Sequence, residues 1–243
     1  MPTDPILGRR WQDLTAEDAG LWGRVVEAGV KAQRLVPGAV AVGGTAAAIY
    51  AAHRVSLDTD HLVYGLKERF DAVLDILESS PEWKTARTNR PILILGSIGG
   101  MEVGFRLPRR QSAIQTVSVE TAHGALVVPT LAEMIAIKAF LLYWRNATRD
   151  YLDFAAMTTC APQDEVLESL LKLDEHYRGL QTTSIRLEVA KALANARPFD
   201  LEMADLSRYR ALLPQWRNWQ RVEEICRRFG LLLSERLIAG EST

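Results

Sequence analysis

Residues 43–60 read Gly-Gly-Thr-Ala-Ala-Ala-Ile-Tyr-Ala-Ala-His-Arg-Val-Ser-Leu-Asp-Thr-Asp. The apolar run Ala39 to Val42 just before them predicts a strand, and Gly43-Gly44 then opens a small-residue helix ending near His53. A short return leads to a second strand carrying Asp58 and Asp60. Side chains alternate along a strand, so two acids spaced this way project from one face of the sheet. Carboxylates held that close repel each other unless a cation lies between them, and Mg²⁺ favours hard oxygen ligands shared with phosphates. Gly43 and Gly44 leave the backbone bare at a helix N-terminus, where free N–H groups suit phosphate. Taken singly, an Asp-x-Asp is usually a solvated turn and a Gly-Gly a loop. In this order they describe a metal-dependent phosphoryl or nucleotidyl transfer site.

The 243 residues suffice for one large domain or two modest ones, and 48% hydrophobic with 24% charged residues is ordinary for a folded soluble chain. A net charge of −1 excludes global basicity, so any nucleic-acid contact must come from a local patch. It also weakens a DNA-binding regulator, for which no recognition-helix pattern is present. Cys160 and Cys226 fit no metal-ligand spacing and read as reduced thiols. Met1–Pro5 carries no basic-then-apolar leader, and no stretch approaches a membrane span. The expected location is cytoplasmic, without membrane partners.

Thr15 to about Leu35 reads as a helix, with Thr15 and Asp18 resembling a capping box and Pro37-Gly38 closing it. Lys67 to Ser79 reads as an amphipathic helix and Ile92 to Leu95 as a central strand. Gly99-Gly100 is a hairpin turn into Met101–Arg106, and Val117–Glu120 pairs with Ala125–Val128. Helices follow at roughly 131–144, 149–160, 163–173, 182–196 and 215–238. The fold class is α+β: a mixed sheet with flanking helices in 1–129, then an all-helical part in 130–243 that completes the active site.

Glu102, between Met101 and Val103, is a candidate third metal ligand if its strand lies beside that of Asp58 and Asp60; a solvent-facing Glu on an edge strand fits equally well. Lys138 interrupts a buried-looking helical run, which is costly unless the amine meets an anion such as a triphosphate or snorkels to water. Beside the acidic pair, phosphate binding is the favoured reading. Asn146-Ala-Thr148 breaks the stripe that would carry Lys138, Arg145 and Arg149 together. Asp150 could complement a helix dipole, and Asp153 could orient Lys138 or the nucleotide.

These residues resemble the AbiEii-type (MenT-like) nucleotidyltransferase toxins of the DNA polymerase beta-like superfamily. The resemblance covers about residues 39–160 and lies in GGTAAAIYAAHRVSLDTD, the Lys138 helix and Arg149-Asp150-x-x-Asp153. It implies a nucleotidyltransferase fold and transfer of a nucleotidyl group from an NTP to an acceptor with release of pyrophosphate. By position, Gly43, Gly44 and Ser56 would cradle phosphates, with Thr45 and Arg149 in the nucleotide-binding set. Asp58 and Asp60 would hold Mg²⁺ (or Mn²⁺), Lys138 would grip the triphosphate, and Asp153 would complete the catalytic set. Several relatives add nucleotides to the tRNA 3′ end, so tRNA and a cognate antitoxin are the implied partners. Thr59 and His61 depart from the apolar pattern usual there, which suggests a more exposed strand edge.

Arg208 to Phe229 is basic and aromatic, with six arginines against Glu223 and Glu224. Arg208, Arg210, Arg217 and Arg221 are candidate RNA contacts. Trp216 and Trp219 have the spacing of a packed helix face. Competing readings are transfer to a small molecule or a protein hydroxyl, or a catalytically silent nucleotide-binding module.

Overall fold

The structure, a computed structural model, describes residues 14–110 and 112–241. The leaderless reading of Met1–Pro5 lies outside the described residues. The chain forms two compact units. The first comprises residues up to Pro108 together with Gln115–Thr130, and the second comprises Arg109–Ile114 and the chain from Leu131 onward.

Among the described residues the first unit opens with α1 (Ala16–Leu35), whose N-cap Thr15 accepts from the Asp18 N–H at 3.1 Å. The capping side chains meet each other, Thr15 Oγ1 donating to Asp18 Oδ2 at 2.8 Å. The elements that follow are β1 (Val40–Val42), α2 (Gly43–Ala51), β2 (Asp58–Leu62) and α3 (Phe70–Glu78). Next come β3 (Trp83–Asn89), β4 (Leu93–Ile98) and β5 (Met101–Arg106). A separate hairpin, β6 (Thr116–Thr121) and β7 (Gly124–Pro129), completes the unit. Gln33 on α1 clasps the Val127 peptide of β7, donating to its carbonyl at 2.7 Å and accepting from its N–H at 2.8 Å.

The main sheet runs β1-β2-β5-β4-β3. β2 and β5 are parallel, and the other neighbouring pairs are antiparallel. One face packs into a core of Ala28, Ala32, Val63, Leu66, Phe70, Val73, Val103 and Phe105, drawn from α1, α3, the sheet and the β2–α3 connection. Burying such side chains stabilises by about 1.5–3 kcal/mol each before entropy is counted. Alternation sends Asp58, Asp60, Glu102 and Gly104 to the other face, away from the core.

Strand β3 has no counterpart in the sequence reading. Only Trp83 is buried and the six residues after it are exposed, so no apolar alternation marks it. The expected exposed edge at Thr59 and His61 is overturned. β2 lies between β1 and β5, and both side chains are fully buried on the core face. His61 meets the Phe105 ring at 5.5 Å, and Gly29 on α1 gives the Thr59 side chain room.

Neither ring nitrogen of His61 meets a protein hydrogen-bond partner. Burial pushes its pKa down from 6.5 to about 4, outweighing the nearby Gly29 and Thr59 backbone groups. Below pH 6.5 the unfolded chain binds a proton that the folded chain refuses. Stability is therefore full above pH 6.5 and falls as pH drops toward 4, by roughly 3 kcal/mol from this residue alone. Denaturant midpoints measured from pH 7 to pH 4.5 should decline less steeply in His61→Leu than in the wild type. Equal slopes would refute the assignment.

The second unit contains α4 (Leu131–Arg145), α5 (Thr148–Thr158), α6 (Gln163–Leu171), a short α7 (Leu173–His176), α8 (Ile185–Ala194) and α9 (Trp219–Glu241). α8 and α9 approach closely at Gly230, where a methyl group would lie 2.4 Å from the Ala194 nitrogen. Arg109–Ile114 joins this unit through buried Arg110, which donates to Glu133 Oε2 at 2.5 Å and to the Ala113 carbonyl at 2.8 Å. A buried guanidinium needs such a partner, which explains why a segment from the β5–β6 connection belongs with the helices.

Candidate functional site

Gly43, at the start of α2, has φ +74°, a conformation that glycine adopts without strain. A methyl group there would lie 3.6 Å from Asp60 Oδ2, so the α2 N-terminus and the second acid are immediate neighbours. The N-cap residue Val42 offers no side-chain bond to the first-turn N–H groups. A methyl group at Gly44 would lie 2.7 Å from both Arg54 Nη2 and Ser56 Oγ. The glycine turn thus lies against a guanidinium and a hydroxyl, chemistry suited to phosphate.

Asp58 and Asp60 share the exposed face of β2, and both are half-buried. Ser56 Oγ donates to Asp58 Oδ1 at 3.0 Å. The buried Thr45 hydroxyl donates to the Asp58 backbone carbonyl at 2.6 Å, tying α2 to the first acid. Thr45 therefore aligns the strand with the helix. Arg106 Nε donates to Asp60 Oδ1 at 2.8 Å.

β5 lies beside β2, with Asp58 opposite Glu102 and Asp60 opposite Gly104. Among the described residues, however, no three His, Cys, Asp or Glu side chains are grouped to hold a metal ion. Glu102 stands opposite Asp58, the strand adjacency on which its reading as a third ligand depends. The residue facing Asp60 has no side chain, and Glu102 is exposed. The donor set for a divalent ion is the remaining oxygens of Asp58 and Asp60. Two hard carboxylates fit Mg²⁺ or Mn²⁺ when phosphate oxygens complete the shell.

In the helical unit, Lys138 is 2% exposed. Its Nζ lies 3.1 Å from Asp150 Oδ1 and 2.7 Å from Asp153 Oδ2. Arg145 grips Asp150 as a fork, Nε to Oδ2 at 3.0 Å and Nη2 to Oδ1 at 2.7 Å. Asp150 is thus an ion-pair partner as well as a first-turn acid of α5. Asn146, with φ +50°, separates α4 from α5 and breaks the stripe as expected. The Asp200 carboxylate accepts from the Thr148 N–H at 2.7 Å and so fixes the start of α5. Arg149 is exposed.

Trp216 is 3% exposed, with Arg221 stacked over its ring at 5.5 Å. Val222, Cys226 and Phe229 are fully buried, so this face of α9 is core. Arg208 and Arg221 are exposed, and Arg217 is exposed but donates to the Leu212 carbonyl at 3.2 Å. Arg210 is half-buried.

The sequence reading gives no role to Arg54 or Arg106. Arg54 stands inside the quoted stretch, but its approach to Gly44 depends on how the return after α2 folds back. The clue to Arg106 is Gly104, a missing side chain in an otherwise alternating strand.

No family model matches the chain. It is 25% identical over 120 residues to the mycolic acid-containing lipids exporter MmpL11 of Mycolicibacterium smegmatis, covering 48% of this chain and 12% of that protein. The chain thus spans only a small part of that relative's length. No helix among the described residues is long and apolar enough to cross a membrane. Among solved structures, the antibiotic-resistance factor ANT(2'')-Ia matches with a TM-score of 0.47 at 16% identity, over 67% of this chain and 96% of that one. An antigenic nucleotidyltransferase-like protein from Paracoccidioides brasiliensis matches with a TM-score of 0.45 at 16% identity, over 67% of this chain and 89% of that one.

Proposed function

We propose that the chain is a divalent-metal-dependent nucleotidyltransferase. The observation that carries this reading is the pairing of Asp58 and Asp60 on one face of β2 with a glycine-opened helix start, where a methyl group at Gly43 would lie 3.6 Å from Asp60 Oδ2. An acceptor hydroxyl oxygen attacks the α-phosphorus of an NTP, a new P–O bond forms, and the bond to the bridging oxygen breaks. The hydroxyl proton passes to water and pyrophosphate leaves. Asp58 and Asp60 would hold the cation, which when bound offsets phosphate charge and lowers the acidity barrier of the hydroxyl. Gly43, Gly44 and the α2 N–H groups bind the phosphates, Ser56 orients Asp58, and Thr45 keeps β2 in register with α2.

The acceptor in this reading is the tRNA 3′ end and the biological role that of a toxin neutralised by an antitoxin. Exposed Arg208, Arg217 and Arg221 supply phosphate contacts. Full-length protein incubated with each α-labelled NTP, Mn²⁺ or Mg²⁺ and total tRNA should place label on the RNA with matching pyrophosphate release. Label appearing only on an added aminoglycoside or protein would move the acceptor to those classes. No label with any of the four nucleotides and any acceptor would overturn the transferase reading.

A further inference from the structure

The face of β2 that carries the two acids also meets a fixed positive charge. In the parallel β2–β5 register, Asp60 is opposite Gly104 and Leu62 is opposite Arg106, so Arg106 stands diagonally from Asp60 on the same face. Between them the strand has no side chain. A methyl group at position 104 would lie 2.5 Å from Asp60 Oδ1 and 3.7 Å from Arg106 Nε. Gly104 therefore leaves the lane through which the Asp60 carboxylate reaches Arg106 at 2.8 Å. Asp58 has no such cation in its bonding and is held by the Ser56 hydroxyl instead.

Resting on the reading of the acidic pair as a metal site, we infer that Arg106 is a built-in counter-cation of Asp60 that makes divalent-ion binding depend on phosphate. Without nucleotide, the guanidinium neutralises one of the two acids and occupies one of its oxygens, and the pair attracts a metal weakly. The ion pair is partly exposed, with side-chain exposures of 44% for Arg106 and 26% for Asp60, so water screens it and a competing anion can displace it. A triphosphate is that anion. The guanidinium fork matches phosphate oxygens, and its departure returns both acids to the cation that accompanies the nucleotide. Metal and nucleotide binding are then reciprocally coupled, each tightening the other by the same factor.

The test measures Mn²⁺ binding to the full chain by electron paramagnetic resonance, with and without a non-hydrolysable triphosphate. Without nucleotide, Arg106→Gln should bind Mn²⁺ about three- to tenfold more tightly than the wild type. Adding nucleotide should tighten Mn²⁺ binding less in the variant than in the wild type. Arg106→Lys, which keeps a charge but not the fork, should fall between them. Equal or weaker Mn²⁺ binding by Arg106→Gln would overturn the inference while leaving the metal site standing. If the wild type and both variants bind Mn²⁺ no better than an Asp58→Asn control, the acidic pair is not a metal site, and both readings fall together. A thermal melt of each variant verifies the fold, which a half-exposed arginine should not disturb.

Discussion

Asp58→Asn is expected to lower nucleotidyl transfer by roughly a thousandfold or more in kcat, with little change in stability. The substitution keeps the size of the side chain and an oxygen able to accept the Ser56 hydroxyl proton, so the local bond at 3.0 Å survives. The buried Thr45 hydroxyl bonds to the backbone of residue 58, which the change does not touch. Among the described residues Asp58 forms no ion pair, so the expected stability change stays within about 1 kcal/mol. What is lost is one negative ligand of a two-carboxylate site. Asp60→Asn differs in kind because it also releases Arg106 from its carboxylate partner. Both variants should lose activity, but only Asp60→Asn should alter the salt dependence of stability. Steady-state rates beside urea midpoints would show this, and transfer by Asp58→Asn within tenfold of the wild type would remove the acidic pair from the reaction.

Local patterning made much of the fold legible. The Thr15 cap, the glycine start of α2, the Gly99-Gly100 hairpin and the helices after Thr130 each follow from features within a few residues. β3 was not legible, because its pairing with β4 is made by backbone groups while its side chains face water. Thr59 and His61 misled for the opposite reason. Polar residues in a strand suggest exposure, but β2 gains neighbours on both sides only when β5 arrives from far along the chain. The acidic pair and its glycine turn stood within one short stretch. Arg106 acquires its meaning from a register across the sheet, which spacing along one strand cannot encode. Glu102 shows the same limit, since its place opposite Asp58 is set by that register.

The second large effect is expected at Lys138. Its ammonium is 2% exposed and lies between Asp150 and Asp153, both fully buried, at 3.1 and 2.7 Å. Arg145 also holds Asp150, so Lys138→Met takes the 2.7 Å ion pair from Asp153 while sparing much of the support of Asp150. Removing one partner of a buried pair costs about 3–5 kcal/mol, because the remaining charge keeps its desolvation penalty. The urea midpoint of Lys138→Met should fall accordingly. The double variant Lys138→Met/Asp153→Leu should recover part of the loss, since it also removes the Asp153 charge, while Asp150 keeps Arg145 as its partner. Additive losses would mean that the two residues do not act as a pair in holding the fold. Loss of activity in Lys138→Met alone therefore cannot be assigned to a phosphate contact. The informative comparison is Asp153→Asn, which keeps the size and an acceptor oxygen while removing the charge that holds the ammonium. If Lys138 serves the nucleotide, releasing it from Asp153 should change NTP affinity at temperatures where the variant remains folded. Unchanged affinity, measured with a fluorescent NTP analogue, would leave the ammonium a structural charge of the helical unit.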